Sequence, residues 1–290
     1  MTGTLQGWDD VTVAIYDDPA AYELSCAFRD IPAEVDALLR WSARYGRRPR
    51  TVLELAAGPA EHARELACRG LAATALDLSP AMCAYAAAKA PGLTVVQADM
   101  TDFKLPERFD LIITMLDSTA HLHTLDAMAA HFTRAAAHLA EGAVYILEMS
   151  HPGDRLGHDP STSTRWTTER DGVTAEVSWG SLEDALDPLT QLVDDQVMIK
   201  VTEPPARPGG PARVRVVEGV VPYRFWTATE LEAAVRVAAA EHPETALEIV
   251  AQYGDFADIT PADPAAWRLI TVLRRKSDRA AGAPALSSRA

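Results

Sequence analysis

The chain holds only three cysteines in 290 residues, Cys26, Cys68 and Cys83, and their spacing makes neither a metal site nor a redox pair. The odd count argues against a complete disulfide framework and for a reducing compartment. Long apolar runs are also missing. No segment approaches the length of a membrane span, and MTGTLQGWDD has neither the basic cluster nor the apolar core of a signal peptide, so a cytoplasmic protein without a membrane partner is expected. Positive charge is scarce: 27 Lys and Arg stand against 41 Asp and Glu, a formal net charge of −14, and RYGRRPR is a single short basic cluster. That balance repels nucleic-acid phosphates, which disfavours a nucleic-acid partner and leaves a small-molecule role open. No internal repeat is evident.

What is present is a regular alternation. Residues 1 to 50 read as helical segments, PAAYELSCAFRD and then PAEVDALLRWSARYG, where Val35, Leu38 and Leu39 recur at helical spacing until Gly46 and Pro49 end the run. TVLELA, ATALDL, TVVQADM, FDLIITML and AVYILEMS read as five strands, separated by helices or short connections. Ser79-Pro80 supplies an N-cap and a first-turn proline, and Gly70 and Gly142 are natural stops. This order predicts an α/β fold with a doubly wound, Rossmann-like parallel sheet.

After His151 the pattern loses its helices. Asp171-Gly172 marks a two-residue hairpin, and the segments LTQLVDDQVMIKVT and ARVRVVEGVVPYRF flank a Pro/Gly-rich loop as a second antiparallel pair. A helix, TELEAAVRVAAA, and two strands, ALEIVAQYG and AWRLITVLRR, then close the sheet, and SDRAAGAPALSSRA reads as a frayed tail. The expected divisions are 1–50, a helical N-terminal segment; 51–150, the α/β core; 151–226, a β-rich insertion beside the strand ends; 227–276, the rest of the core; and 277–290, the tail.

The loop ELAAGPAEHARELACRG carries chemistry in combination with the strands on either side of it. Glu54 lies inside the first strand, Gly58 in the turn and Asp77 at the end of the second strand, a constellation that suits a nucleoside: glycine permits close approach to backbone, and a strand-end carboxylate accepts from both ribose hydroxyls. Yet Ala56 and Ala60 stand where a dinucleotide loop wants glycine, so a pyrophosphate has little room.

ELAAGPAEHARELA, LDLSPAM, QADM and FDLIITMLDSTAHL, in this order, resemble the class I S-adenosylmethionine-dependent methyltransferases, over about residues 51 to 150. The resemblance implies a seven-stranded sheet with an N-terminal lid, and S-adenosylmethionine as cofactor. It implies that Glu54 holds the cofactor's amino group, that the backbone of Ala56 and Gly58 flanks its methionine moiety, and that Asp77 binds its ribose. Leu78 and Met82 would flank the adenine, Asp99 and the Met100 amide would meet its edge, and Met115 would contact the amino-acid end. In the lid, Tyr16 and Tyr22 would approach the sulfonium and Arg29 the carboxylate, for which its fork is suited.

MLDSTAHLHTLD is similar to the stretch in bacterial N-methyltransferases of nucleotide-linked amino sugars that places a Ser and a His three residues apart, here Ser118 and His121. In that reading His121 accepts a proton from the nucleophile. His62, His123 and His131 read as surface or structural residues, and Trp166, Trp179, Tyr223, Arg224 and Trp226 as an acceptor wall or as sheet-face packing. The expectation is methyl transfer to an N or O nucleophile of a small molecule, with a homodimer compatible. A non-catalytic cofactor-binding partner and, less favoured, a NAD-dependent oxidoreductase are the alternatives.

Overall fold

The computed structural model describes residues 15–157, 163–205, 207 and 210–278; beyond residue 278 the expected tail lies outside the described residues. Along the chain, α1 (Pro19–Ser25) and α2 (Ile31–Tyr45) precede β1 (Thr51–Leu55), α3 (Glu61–Cys68), β2 (Ala72–Asp77), α4 (Pro80–Lys89), β3 (Thr94–Gln97) and β4 (Phe109–Thr114). Then come α5 (Leu125–His138), β5 (Leu139–Ser150) and a short α6 (Gly153–Leu156). The strands β6 (Thr164–Arg170), β7 (Val173–Trp179), β8 (Leu192–Glu203) and β9 (Arg213–Arg224) lead to α7 (Ala228–Glu241), β10 (Leu247–Tyr253) and β11 (Arg268–Arg275).

The seven-stranded sheet runs β10-β11-β5-β4-β1-β2-β3. The neighbours among β1 to β5 pair in parallel, whereas β11 pairs antiparallel with both β5 and β10. The sheet is therefore mixed, because β11 inserts between β5 and β10 against the common direction. Both faces are covered. Phe132, Tyr145 and Leu231 belong to one apolar layer, beneath α5 and α7, and Leu38, Trp41 and Leu66 to the other, beneath α2 and α3. Two-sided burial accounts for the apolar run Leu111 to Ile113 of β4, a strand buried at every position, Asp110 included.

Local chemistry sets the element ends. Ser79 Oγ accepts from the Met82 amide at the start of α4, and Thr227 and Glu230 form a reciprocal capping box on α7. Asp171 and Gly172 both adopt positive φ, 55° and 77°, as a tight hairpin between β6 and β7 requires. The second sheet, β6-β7-β8-β9, is antiparallel throughout. Its apolar face carries Val177, Ile199 and Val217 against Ile15, Ala21 and Leu24 of the N-terminal segment. Trp166 Nε1 donates to the Ser25 carbonyl and Thr168 Oγ1 to that of Leu24, so α1 is bound by its C-terminal carbonyls to β6.

Candidate functional site

The loop after β1 has the backbone of a glycine-rich turn with two alanines in it. Ala56, Gly58 and Ala60 all take left-handed conformations, with φ of 50°, 52° and 59°. Such backbone costs an L side chain about 1–2 kcal/mol, which glycine avoids. Glycine at position 56 is expected to raise the unfolding free energy by about 0.5–1 kcal/mol, the strain relieved exceeding the entropy glycine adds to the unfolded chain; a denaturant midpoint that falls would refute the strain argument.

Asp77 closes this loop. Its Oδ2 accepts from the Gly58 amide at 2.6 Å and its Oδ1 from the Ser79 amide at 2.8 Å, while Ala57 N donates to the Leu76 carbonyl. Burial raises the carboxyl's pKa despite those amides. Two oxygens with about four lone-pair directions leave acceptor capacity for a ligand.

Beside the loop lies a cavity lined by Tyr22, Arg29, Glu54, Ala56, Gly58, Met115 and Ser118 of the predicted residues, together with Glu23, Cys26 and His62. A buried chain of charges runs through its wall. Arg29 donates from Nε and Nη2 to Glu34 and from Nη2 to Glu148 at 2.7 Å. Arg268 Nε is 2.8 Å from Glu148 Oε1, an ion contact without hydrogen-bond alignment. Glu148 is fully buried, which works against its charge, yet Arg29 and then Arg268 hold its carboxyl down at about 2. Arg29 Nη1 is buried with no hydrogen-bond partner among the described residues. On the other side, Glu54 Oε2 accepts from the Ala63 amide, and His62 sits between Glu54 and Glu34.

Tyr16 and His121 meet: the tyrosine hydroxyl is 3.0 Å from His121 Nε2 and 3.1 Å from the hydroxyl of Tyr223. Tyr22 packs edge-on against Tyr16, with centroids 5.5 Å apart. His121 is an exposed residue, but desolvation where its ring packs against the protein, and then the neighbouring His123, lower its pKa, so it stands neutral at pH 7. Ser118 turns away from that cluster and donates to the Met115 carbonyl at 2.8 Å, with Ala56 O at 3.4 Å. Between them, Leu116 and Asp117 both have positive φ, 53° and 59°, in a turn held by Glu148, which accepts the Leu116 amide on its carboxylate and the Asp117 amide on its carbonyl. Burial pushes the Asp117 carboxyl up to about 6.

The remaining predicted residues lie farther along the strand ends. Met82 is buried and Leu78 is 66% exposed. Asp99 Oδ1 accepts from the amide and hydroxyl of Thr101. The Met100 carbonyl is 3.1 Å from His131 Nδ1, whose Nε2 lies 2.5 Å from the Tyr145 hydroxyl, which in turn donates to Thr114. His131 is thus an interior residue tying the 99–101 turn to β4 and β5, and His62 is a buried cavity residue; neither lies at the surface. Trp166, Trp179 and Tyr223 form a run of stacked rings, 6.4 Å and 6.1 Å apart, on the second sheet. Arg224 lies over the Trp226 ring, and Trp226 is buried in the core beneath α7.

Glu34, His62 and Glu148 are the site residues that sequence reasoning missed. Glu34 and Glu148 carry one readable signal, an acidic residue at an apolar position: Glu34 adjoins Val35 on the inward stripe of α2, and Glu148 lies inside the apolar run VYILEMS.

Residues 52–142 match the family model described as a methyltransferase domain. Two curated relatives narrow the comparison. One is the dTDP-3-amino-3,6-dideoxy-alpha-D-glucopyranose N,N-dimethyltransferase of Streptomyces fradiae, 32% identical over 116 residues, which is 40% of this chain and 44% of the relative. The other is the dTDP-3-amino-3,4,6-trideoxy-alpha-D-glucopyranose N,N-dimethyltransferase of Streptomyces venezuelae, 30% identical over 98 residues, 34% and 41% of the two chains. The matched stretch thus spans less than half the length of either relative. Among solved structures, an S-adenosylmethionine-bound amino pentose methyltransferase from Micromonospora echinaspora shares the fold over 93% of this chain and 100% of its own, with a TM-score of 0.67 at 20% identity. Among the described residues, no helix is long and apolar enough to cross a membrane.

Proposed function

We propose that the chain methylates an amino nitrogen of a small molecule, with S-adenosylmethionine as the donor. The observation that carries this reading is Arg29 Nη1: a buried guanidinium nitrogen without a partner among the described residues, in a cavity that also presents Glu54. Leaving such a donor unpaired is costly, and an α-amino acid end satisfies both groups, its carboxylate on Arg29 and its ammonium on Glu54. Tyr22, Ala56, Gly58 and Met115 enclose that end, Asp77 offers its spare lone pairs to ribose hydroxyls, and Leu78, Met82, Asp99 and Met100 receive the adenine. The bound cofactor supplies a sulfonium methyl open to in-line displacement.

The protein's share is alignment and exclusion of water. Residues 15–50 act as the lid: Tyr16 and Tyr22 cover the strand ends, and α1 is latched to the core through Glu23, which pairs with Arg64 and Lys89 and accepts from Tyr85. The nucleophile must present a lone pair. His121, neutral at pH 7, accepts a hydrogen bond from the amine N–H beside the Tyr16 hydroxyl and so turns the lone pair to the methyl, and Ser118 keeps the Met115 turn in place. The stacked rings of Trp166, Trp179 and Tyr223 form the acceptor wall, and the relatives' substrates make a nucleotide-linked amino sugar the first acceptor to try.

Calorimetric titration with S-adenosylhomocysteine tests the reading. Binding is expected, and Asp77→Ala should weaken it by about 1–3 kcal/mol, the usual loss for hydrogen bonds to a charged group. Incubation with S-adenosylmethionine and dTDP-3-amino-3,6-dideoxyglucose, read by mass spectrometry, should then show added methyl groups. Absence of S-adenosylhomocysteine binding to the parent protein would sink the assignment.

A further inference from the structure

His62 is only 5% exposed, and carboxylates face both of its ring nitrogens: Glu34 Oε2 lies 2.8 Å from Nε2 and Glu54 Oε1 lies 3.4 Å from Nδ1. An ionised carboxylate only accepts. Glu34 accepts from Arg29 on both oxygens, and Glu54 accepts the Ala63 amide on Oε2 and turns Oε1 to the ring. An imidazole flanked by acceptors on both sides can satisfy them only by carrying both protons.

We propose that His62 stands as an imidazolium and is the positioning residue that sets the cavity for a zwitterionic α-amino acid end. Through Glu34 it fixes Arg29, whose Nε and Nη2 are thereby spent while Nη1 is left for a carboxylate. Through Glu54 it balances one negative charge of the wall and orients that carboxylate for an ammonium. The proposal rests on the methyltransferase reading and adds to it a residue that never touches the reacting methyl.

Glu34 faces the ring from α2, Glu54 from β1 and Glu61 from the ring's own helix, and only Arg29, from the turn before α2, sets a positive charge against the imidazolium. Burial works against the charged ring, but the bonds to Glu34 and then Glu54 prevail and push its pKa up to about 9. A folded-state value raised above the ordinary 6.5 means that this contribution is complete below pH 6.5 and is lost as pH rises through about 9.

The experiment compares two ligands on the full chain. S-adenosylhomocysteine carries the amino acid end, and 5′-methylthioadenosine is the same nucleoside thioether without it. At pH 7, His62→Gln should weaken S-adenosylhomocysteine about 10-fold or more and leave 5′-methylthioadenosine within about two-fold, since one charge-assisted contact is worth at least that factor. Equal losses for both ligands, or no loss for either, overturn the proposal. Should the variant not fold, proton NMR of the ligand-free parent protein decides: the His62 ring should titrate with a midpoint above about pH 8, and a midpoint at or below 6.5 overturns the imidazolium. If the parent protein binds neither ligand, the methyltransferase reading itself falls; if it binds both and the variant binds them unchanged, only the role of His62 falls.

Discussion

Arg29→Met is expected to lower the unfolding free energy by about 3–5 kcal/mol, the usual consequence of removing one partner from a buried ion pair. The size reflects the charges left behind. Glu34 and Glu148, 5% and 0% exposed, would each keep a carboxylate in the interior with its main cation gone. Denaturant titration at pH 7 measures the loss, and its pH dependence identifies the cause. In the parent protein the Glu148 carboxyl sits near 2, below its unfolded value, so its share of stability is present above about pH 4.5 and disappears as pH falls towards 2. Once Arg29 is gone its part of that share is lost while Arg268 remains, so the gap between variant and parent should narrow in acid. A gap that stays constant from about pH 7 to about pH 3 would mean that the arginine stabilises by packing alone.

Trp41→Ala should cost a similar amount, about 3–5 kcal/mol, for a different reason. Trp41 is fully buried in the layer beneath α2, stacks on Tyr253 of β10 with centroids 4.4 Å apart, and donates its Nε1 to Asp258. Its removal opens a cavity where the N-terminal helices meet the last strands of the sheet. Burial raises the pKa of the Tyr253 phenol, so the stacked ring stays neutral and the loss should be nearly the same at about pH 5 and about pH 8; a loss below about 1 kcal/mol would show that α2 can collapse into the gap.

The two effects mark the boundary of what the sequence makes legible. Runs such as FDLIITML and turn signals such as Asp171-Gly172 announce local structure, because periodicity and backbone preference act over a few residues. The alternation up to β5 could therefore be read, and so could the helix-free stretch after His151. The direction of β11 could not, since its pairing with β5 depends on residues more than a hundred positions apart. The same holds inside the site. Ala56 and Ala60 declared the absence of glycine but not the left-handed backbone they adopt regardless, since Asp77 closes the turn from the end of another strand. His62 and Glu34, 28 positions apart, carry no local mark of their meeting.

β11 has one further consequence, for the order in which the protein can be built. It is the partner of β5 and the source of Arg268, the last cation in the charged wall of the cavity. A ribosome delivers β5 first and must then make the whole second sheet, α7 and β10 before that partner exists. During this interval β5, buried along most of its length in the finished molecule, presents an open apolar edge, the kind of template that invites pairing with another chain. The nascent protein is thus exposed to aggregation from the completion of β5 until β11 emerges, and the charged wall of the pocket is complete only once β11 is in place.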